Sequence, residues 1–405
     1  MKKLKNLAIN LGLTLSTLIF AVAVGEIGLR IAGIEQSPPP RMDAEVDENS
    51  PYTFQDPYRG WAGNPNGKSF WTGEGIPSEI KMNSGGFRDY ERSKTKLENG
   101  LRIALLGDSF TEAIHVKLED TYGAIIEKNL QQCPVLKDRK VEVMNFGVQG
   151  YGTAQELMTL RHHVWDYSPD LVILVFFASN DLRNNSRALE HDHLRPYFFY
   201  QNGELVADMS FRNLKFWERD IYAFSQVDFL PFWLVQNSRI LQLIRKVEVE
   251  GKHRQYMKDY SEINTAFYKE PKPNSDWSET WKVTEGLIKL MRDEIYEKGK
   301  DFMVVTASDA HQVLPNFQDI EGFRKSLNVP HLFYPDTRLK NFGKKENIPV
   351  YTLAGPIWHE AKKTGKCLHG FDNAIPCKGH WNIAGHKFVG EIMADYLCKR
   401  YTNSE

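Results

Sequence analysis

Cysteine is scarce in this sequence, with four in 405 residues. That speaks against a small scaffold built on disulfides. No Cys-x-x-Cys pair occurs, which speaks against a zinc ribbon or a thioredoxin-type redox site. An excess of either charge is also missing. Lys plus Arg (51) balance Asp plus Glu (52), for a net charge of −1, so the broad basic footprint of a nucleic-acid binder is absent. A mean hydropathy of −0.46 excludes a polytopic membrane protein, though not a single span. What is present is a globular composition: 41% hydrophobic, 25% charged and 12% aromatic. The length is two to three times the usual domain of roughly 100–150 residues.

The one long apolar run lies at the N-terminus. Lys2, Lys3 and Lys5 precede an uncharged stretch from Asn6 to Gly25, mostly apolar from Leu7 to Val24. About 18–20 such residues cross a bilayer as a helix. The lysines predict a cytoplasmic N-terminus, with everything beyond Arg30 outside the cytoplasm. A cleaved signal peptide is the competing reading, with Ala21-Val22-Ala23 as a small-residue cleavage site. Either way the main body is exported and disulfides are permitted.

Three regions follow from the pattern: residues 1–33 as membrane anchor or signal sequence, 34–98 as a loop-rich lead-in, and 99–400 as the main domain. Ser37-Pro38-Pro39-Pro40 reads as a stiff spacer. Beyond residue 99, strands and helices alternate. Arg102–Leu106, Val141–Phe146, Leu171–Phe177, Phe302–Val305 and Pro349–Leu353 read as strands. The third is apolar at every position, as a parallel strand covered on both faces must be. Helices are expected near 154–165 and 279–298, and from Ile383 with Asn382 as N-cap. The alternation predicts a parallel sheet with helices on both faces. Residues of about 186–275 break the rhythm and read as an insertion. It holds a hairpin signal at Asn202-Gly203, a shorter helix near 238–247, and many aromatics (Tyr197, Phe198, Phe199, Tyr200, Phe216, Trp217, Phe229, Phe232, Trp233). Those aromatics form a satellite core, a sugar- or acyl-binding wall, or a contact with the membrane.

In open parallel sheets, sites form beyond the carboxyl ends of the strands. Here the first strand runs into Gly107-Asp108-Ser109, the second into a glycine loop containing Gly150, and the third into Asn180-Asp181. His380 lies just before the last helix. Serine is a weak nucleophile until a base takes its proton, and His380 can do so near neutral pH. His386 is the rival base. The oxyanion of acyl transfer needs preorganised donors, which the N–H groups of Ser109 and Gly150 and the Asn180 amide can supply. His162-His163 and His191-x-His193 lack further ligands at metal spacing, so no metal is expected.

These four blocks, in this order, resemble the SGNH (GDSL-type) hydrolases. Met82-Asn83-Ser84-Gly85-Gly86-Phe87-Arg88-Asp89 is also similar to the segment before the first block in membrane-anchored bacterial members. The resemblance implies a flavodoxin-like three-layer α/β/α sandwich, Ser-His catalysis by Ser109 and His380, an oxyanion hole of Ser109, Gly150 and Asn180, and no cofactor. One departure stands out. The aspartate that family members commonly carry three residues before the histidine is replaced by Cys377. Asp372 on the same loop is the candidate to orient His380, with a backbone carbonyl as the alternative. Disulfides Cys367–Cys377 and Cys133–Cys398 are expected, the first bracing the His380 loop and the second joining the ends of the first and last helices. The expected function is an extracytoplasmic esterase acting on O-acyl groups of a carbohydrate or on a small ester. The alternatives are an O-acetyltransferase of an envelope or exported polysaccharide and a non-catalytic glycan-binding or assembly protein. The membrane, through the N-terminal helix, is the other expected partner; nucleic acid is not.

Overall fold

The computed structural model describes residues 2–33, 52–214, 218 and 225–403, without the side chains of 2–4, 7, 8 and 256–264. Ser37–Pro40, Phe216 and Trp217 lie outside the described residues. The chain forms two units, one made of Met1–Val46 with Leu214–Ser261, the other of Asp47–Asn213 with Glu262–Glu405.

The larger unit opens with two antiparallel hairpins, β1 (Thr53–Asp56) with β2 (Gly60–Gly63) and β3 (Lys68–Trp71) with β4 (Ser78–Lys81). From residue 52 on, the lead-in thus belongs to the same unit as the sheet. The five core strands are β5 (Leu101–Gly107), β6 (Val141–Asn145), β7 (Leu171–Phe176), β10 (Asp301–Thr306) and β11 (Val350–Thr352). Between β7 and β10 comes a hairpin, β8 (Tyr197–Gln201) with β9 (Glu204–Asp208). The sheet order is β11-β10-β7-β5-β6, and every pairing is parallel. Counted along the chain this is order 2-1-3-4-5, the flavodoxin-like winding.

Why three layers form is visible in the strands. Ala104, Leu106, Val172, Leu174, Phe302 and Val304 point into one core, against the helices Thr153–His162 and Asp276–Glu297. Ile103, Leu105, Ile173, Val175, Met303 and Val305 point into the other, against Tyr122–Leu130, Ala354–Thr364 and Ile383–Thr402. Period-2 side-chain alternation thus sends both halves of each apolar strand into a core. Asn382 caps the last helix by accepting from the Gly385 N–H. Gly390 lets that helix cross the Tyr122–Leu130 helix closely, since a Cβ there meets Ile125 at 2.6 Å. Cys133 and Cys398 join the ends of these helices, with Cα atoms 5.8 Å apart. Asn202 and Gly203 both take positive φ in the β8–β9 turn, as a two-residue type I′ hairpin requires.

The interrupting segment divides. Its hairpin joins the larger unit, with Phe198 buried and Tyr200 partly buried against the first core. Residues 214–261 belong instead with the N-terminal helix. The expected short helix near 238–247 runs much further, over Arg239–Ala266. In the smaller unit Lys2–Ile31 is one helix, and Ile9–Ile31 is long and apolar enough to cross a membrane.

Candidate active site

The turn after β5 is shaped by close approach. A Cβ on Gly107 would lie 2.2 Å from Thr111 Oγ1, so only glycine lets the chain double back there. Asp108 caps the short helix Ser109–Glu112 by accepting from the Phe110 N–H. Behind this helix, the buried Arg88 guanidinium donates to the carbonyls of Glu112, Ala113 and Val116. Ser109 therefore projects from a turn held on both sides.

Ser109 Oγ lies 2.8 Å from His380 Nε2. The His380 Nδ1–H donates to Glu74 Oε2 at 2.7 Å, and the His380 backbone N–H donates to Glu74 Oε1 at 3.0 Å. A carboxylate accepts only, so Nδ1 carries the proton and Nε2 presents its lone pair to the serine. Burial pushes the Glu74 carboxyl up, but its hydrogen bonds to His380 outweigh this and hold it below the usual range.

The expectation for Asp372 is corrected. Asp372 is exposed, and the group on His380 Nδ1 is Glu74. Asp372's neighbour Asn373 holds the acid instead. Its Oδ1 accepts from the Gly75 N–H and its Nδ2 donates to the Gly73 carbonyl, bracketing Glu74 on both sides. The Trp71 indole N–H donates to the Glu74 carbonyl, and Ile76 N–H donates to the His115 carbonyl. Gly379, at φ 79°, completes the fit, because a Cβ there would stand 2.2 Å from Glu74 Oε1. The Gly73-Glu74-Gly75 tripeptide was the sole signal in the sequence, a carboxylate between two glycines in the lead-in.

The loop bearing His380 is braced. Cys367 and Cys377 are bonded. Buried His369 bridges Ser308 Oγ and the Gly379 carbonyl, while the Trp381 indole donates to the same Ser308 oxygen. His115 stacks on His380 with ring centroids 3.8 Å apart and planes 18° off parallel. Burial, with the nearby His380 charge, pushes His115 down to about 2, so it is neutral. His386 is buried near Tyr122, accepting from its N–H at 3.3 Å, and burial pushes it down to about 3. The Nε2 facing Ser109 belongs to His380.

Glu74, His115 and His380 place donor atoms within 4.8 Å of one another, a spacing open to a metal ion. Stacked imidazoles keep their lone pairs in separate, nearly parallel planes, however. One ion cannot lie in both planes while the stack is intact.

Of the expected oxyanion donors, two are main-chain. Among the described residues, the N–H groups of Ser109 and Gly150 have no hydrogen-bond acceptor. Gly150 takes φ 77°, which aims its peptide in a way few other residues adopt. Its loop is tied to the Ser109 turn through Val148 N–H to Gly107 O and Gln149 N–H to Glu112. Asn180 departs from the expectation. Its amide donates to Asp108 Oδ2 at 2.9 Å and to the Tyr151 carbonyl at 3.3 Å, so both N–H groups are engaged. An oxyanion would have to displace the longer bond.

Behind the turn lie four fully buried acids, Asp108, Glu112, Glu156 and Asp181. Burial raises all four above the usual carboxylate range.

No family model matches the chain, and neither does any curated protein. Similar solved structures include an acetyl xylan esterase, 11% identical with TM-score 0.38, over 73% of this chain and 100% of that one. An acetylxylan esterase from Geobacillus stearothermophilus is 14% identical with TM-score 0.37, over 74% and 95%. A lipolytic protein of the G-D-S-L family from Desulfitobacterium hafniense is 12% identical with TM-score 0.31, over 73% and 99%.

Proposed function

We propose that this chain is a serine esterase that removes O-acyl groups from a carbohydrate on the extracytoplasmic side of a membrane. The observation that carries the reading is the unbroken hydrogen-bonded line from Ser109 Oγ through His380 to Glu74. Ser109 attacks the acyl carbonyl while His380 Nε2 takes its proton. The imidazolium that results has its Nδ1–H already held by the Glu74 carboxylate, so its charge is met without reorganisation. His380 then returns the proton to the leaving sugar oxygen, and water repeats the cycle to free the serine. The N–H groups of Ser109 and Gly150 hold the oxyanion, and the Asn180 amide joins them by giving up its 3.3 Å bond to the Tyr151 carbonyl.

Glu74 supplies the carboxylate whose absence at Cys377 was the ground for a non-catalytic reading. The apolar helix Ile9–Ile31 and the two disulfides support an anchored, exported body. The test is acetate release from p-nitrophenyl acetate and from acetylated oligosaccharides. Wild type releases acetate from both and Ser109→Ala from neither; an undiminished rate in Ser109→Ala overturns the mechanism.

A further inference from the structure

We propose that the segment around Leu230 and Trp233 docks on the lipid bilayer beside the N-terminal helix, seated at the headgroup–acyl boundary. This rests on the reading of that helix as a retained anchor.

The depth follows from arithmetic. Leu7 to Val24 spans about 27 Å at 1.5 Å per residue, close to the ~30 Å hydrocarbon core. Gly25 and the residues after it therefore lie at interfacial depth, where the first charges after the apolar run, Glu26 and Arg30, appear.

At this depth the helix grips the smaller unit's other segment. The Glu26 carboxylate accepts from the N–H groups of Arg239 (2.6 Å) and Ile240 (3.0 Å) and from Ser238 Oγ (3.3 Å). The two N–H groups are orphan donors at the start of the Arg239–Ala266 helix, so the anchor helix satisfies them, while Ser238 Oγ accepts from the Leu241 N–H at 3.2 Å. Arg30 pairs with Glu26 and donates to the Asn237 carbonyl at 2.6 Å. Gly25 allows the approach, with a Cβ there 3.3 Å from Ile240 Cδ1.

Asn237 ends the helix Phe232–Asn237, and its side chain donates to the Trp233 carbonyl one turn earlier. Trp233 is thus about 6 Å along the axis from a residue bound to the anchor. It is 66% exposed and Leu230 is 40% exposed; Ile244 and Val247 on the next helix are exposed as well. Large apolar side chains left in water are costly. Held at interfacial depth, Leu230 and Trp233 enter the acyl boundary, and tryptophan favours that zone.

The test uses the full chain in phosphatidylcholine–phosphatidylglycerol nanodiscs, one chain per disc. An environment-sensitive fluorophore is attached in turn to Leu18→Cys, Trp233→Cys, Leu230→Cys and, as an aqueous reference, Lys345→Cys. Nitroxide lipids labelled at shallow or deep positions serve as quenchers. Position 18 should be quenched by the deep label. Positions 233 and 230 should emit to the blue of position 345 and be quenched mainly by the shallow label. If 18 is quenched while 233 and 230 match 345, the docking is overturned and the anchor stands. A blue shift at 233 without lipid quenching means a protein surface covers it, and also overturns the docking. If 18 escapes quenching, the anchor reading fails and the docking with it.

Discussion

Glu74 and His380 stand 306 residues apart and are joined by two hydrogen bonds, one to the imidazole Nδ1–H and one to the backbone N–H. The acid thereby fixes both the tautomer of the ring and the position of its main chain. Glu74→Gln should lower kcat by about 10⁴, because an amide can donate to Nδ1 and stabilise the wrong tautomer. Asp372→Asn should stay within about twofold of wild type, as an exposed substitution does. Steady-state kinetics of the two variants check both statements, and the reverse ranking would return the acid to the histidine's own loop.

Asn180→Ala should cost about 10²–10³ in kcat with little change in KM, the usual loss for one oxyanion donor. If Asn180 only tethers Asp108, the loss will appear instead as a lower melting temperature at unchanged kcat.

His115 gives a pH prediction with a definite sign. Its folded pKa is lowered to about 2, by burial first and by the His380 charge second. The unfolded state therefore binds a proton near pH 6.5 that the folded state refuses. The stability that neutral His115 contributes is lost as pH falls from about 6.5 toward 2, by at most about 1.4 kcal/mol per unit. His115→Phe keeps a ring in the stack but carries no proton. Relative to wild type it should gain up to about 2 kcal/mol between pH 7 and pH 5. Denaturant titrations at the two pH values measure this, and parallel pH dependences would refute it.

The disulfides should separate stability from activity. By loop-closure entropy the bond across 265 residues contributes about 5.5 kcal/mol and the bond across 10 about 2.5. Cys133→Ser/Cys398→Ser should therefore lose more in unfolding free energy. Cys367→Ser/Cys377→Ser should lose more in kcat, because its loop carries His380. Paired melting and rate measurements would expose the opposite pattern.

Much of the core was legible because its signals are local. Leu171–Phe176 is apolar throughout since both faces are covered, and strand ends carry their glycine and polar blocks within a few residues. Ser109 and His380, far apart in sequence, are paired by the resemblance of the four blocks, since His380 lies on a loop before the last helix and not on a strand. Glu74 could not be paired in this way. It arrives from a hairpin connection in the lead-in, and its role depends on Asn373 and Gly379, residues with no periodic mark. The division of the interrupting segment was hidden for the same reason. Glu26 caps a helix more than 200 positions later, and no local pattern records such a contact. Asn180 reads as free to donate because sequence does not show that Asp108, next to Ser109, accepts from it.

The central claim is that His380, aligned by Glu74, activates Ser109. Labelling with a fluorophosphonate, followed by intact mass and peptide mapping, tests it most directly. The account predicts one adduct per chain, on Ser109, forming much more slowly in Glu74→Gln and absent in Ser109→Ala. An adduct that persists in Ser109→Ala, or equal labelling rates in wild type and Glu74→Gln, would contradict it.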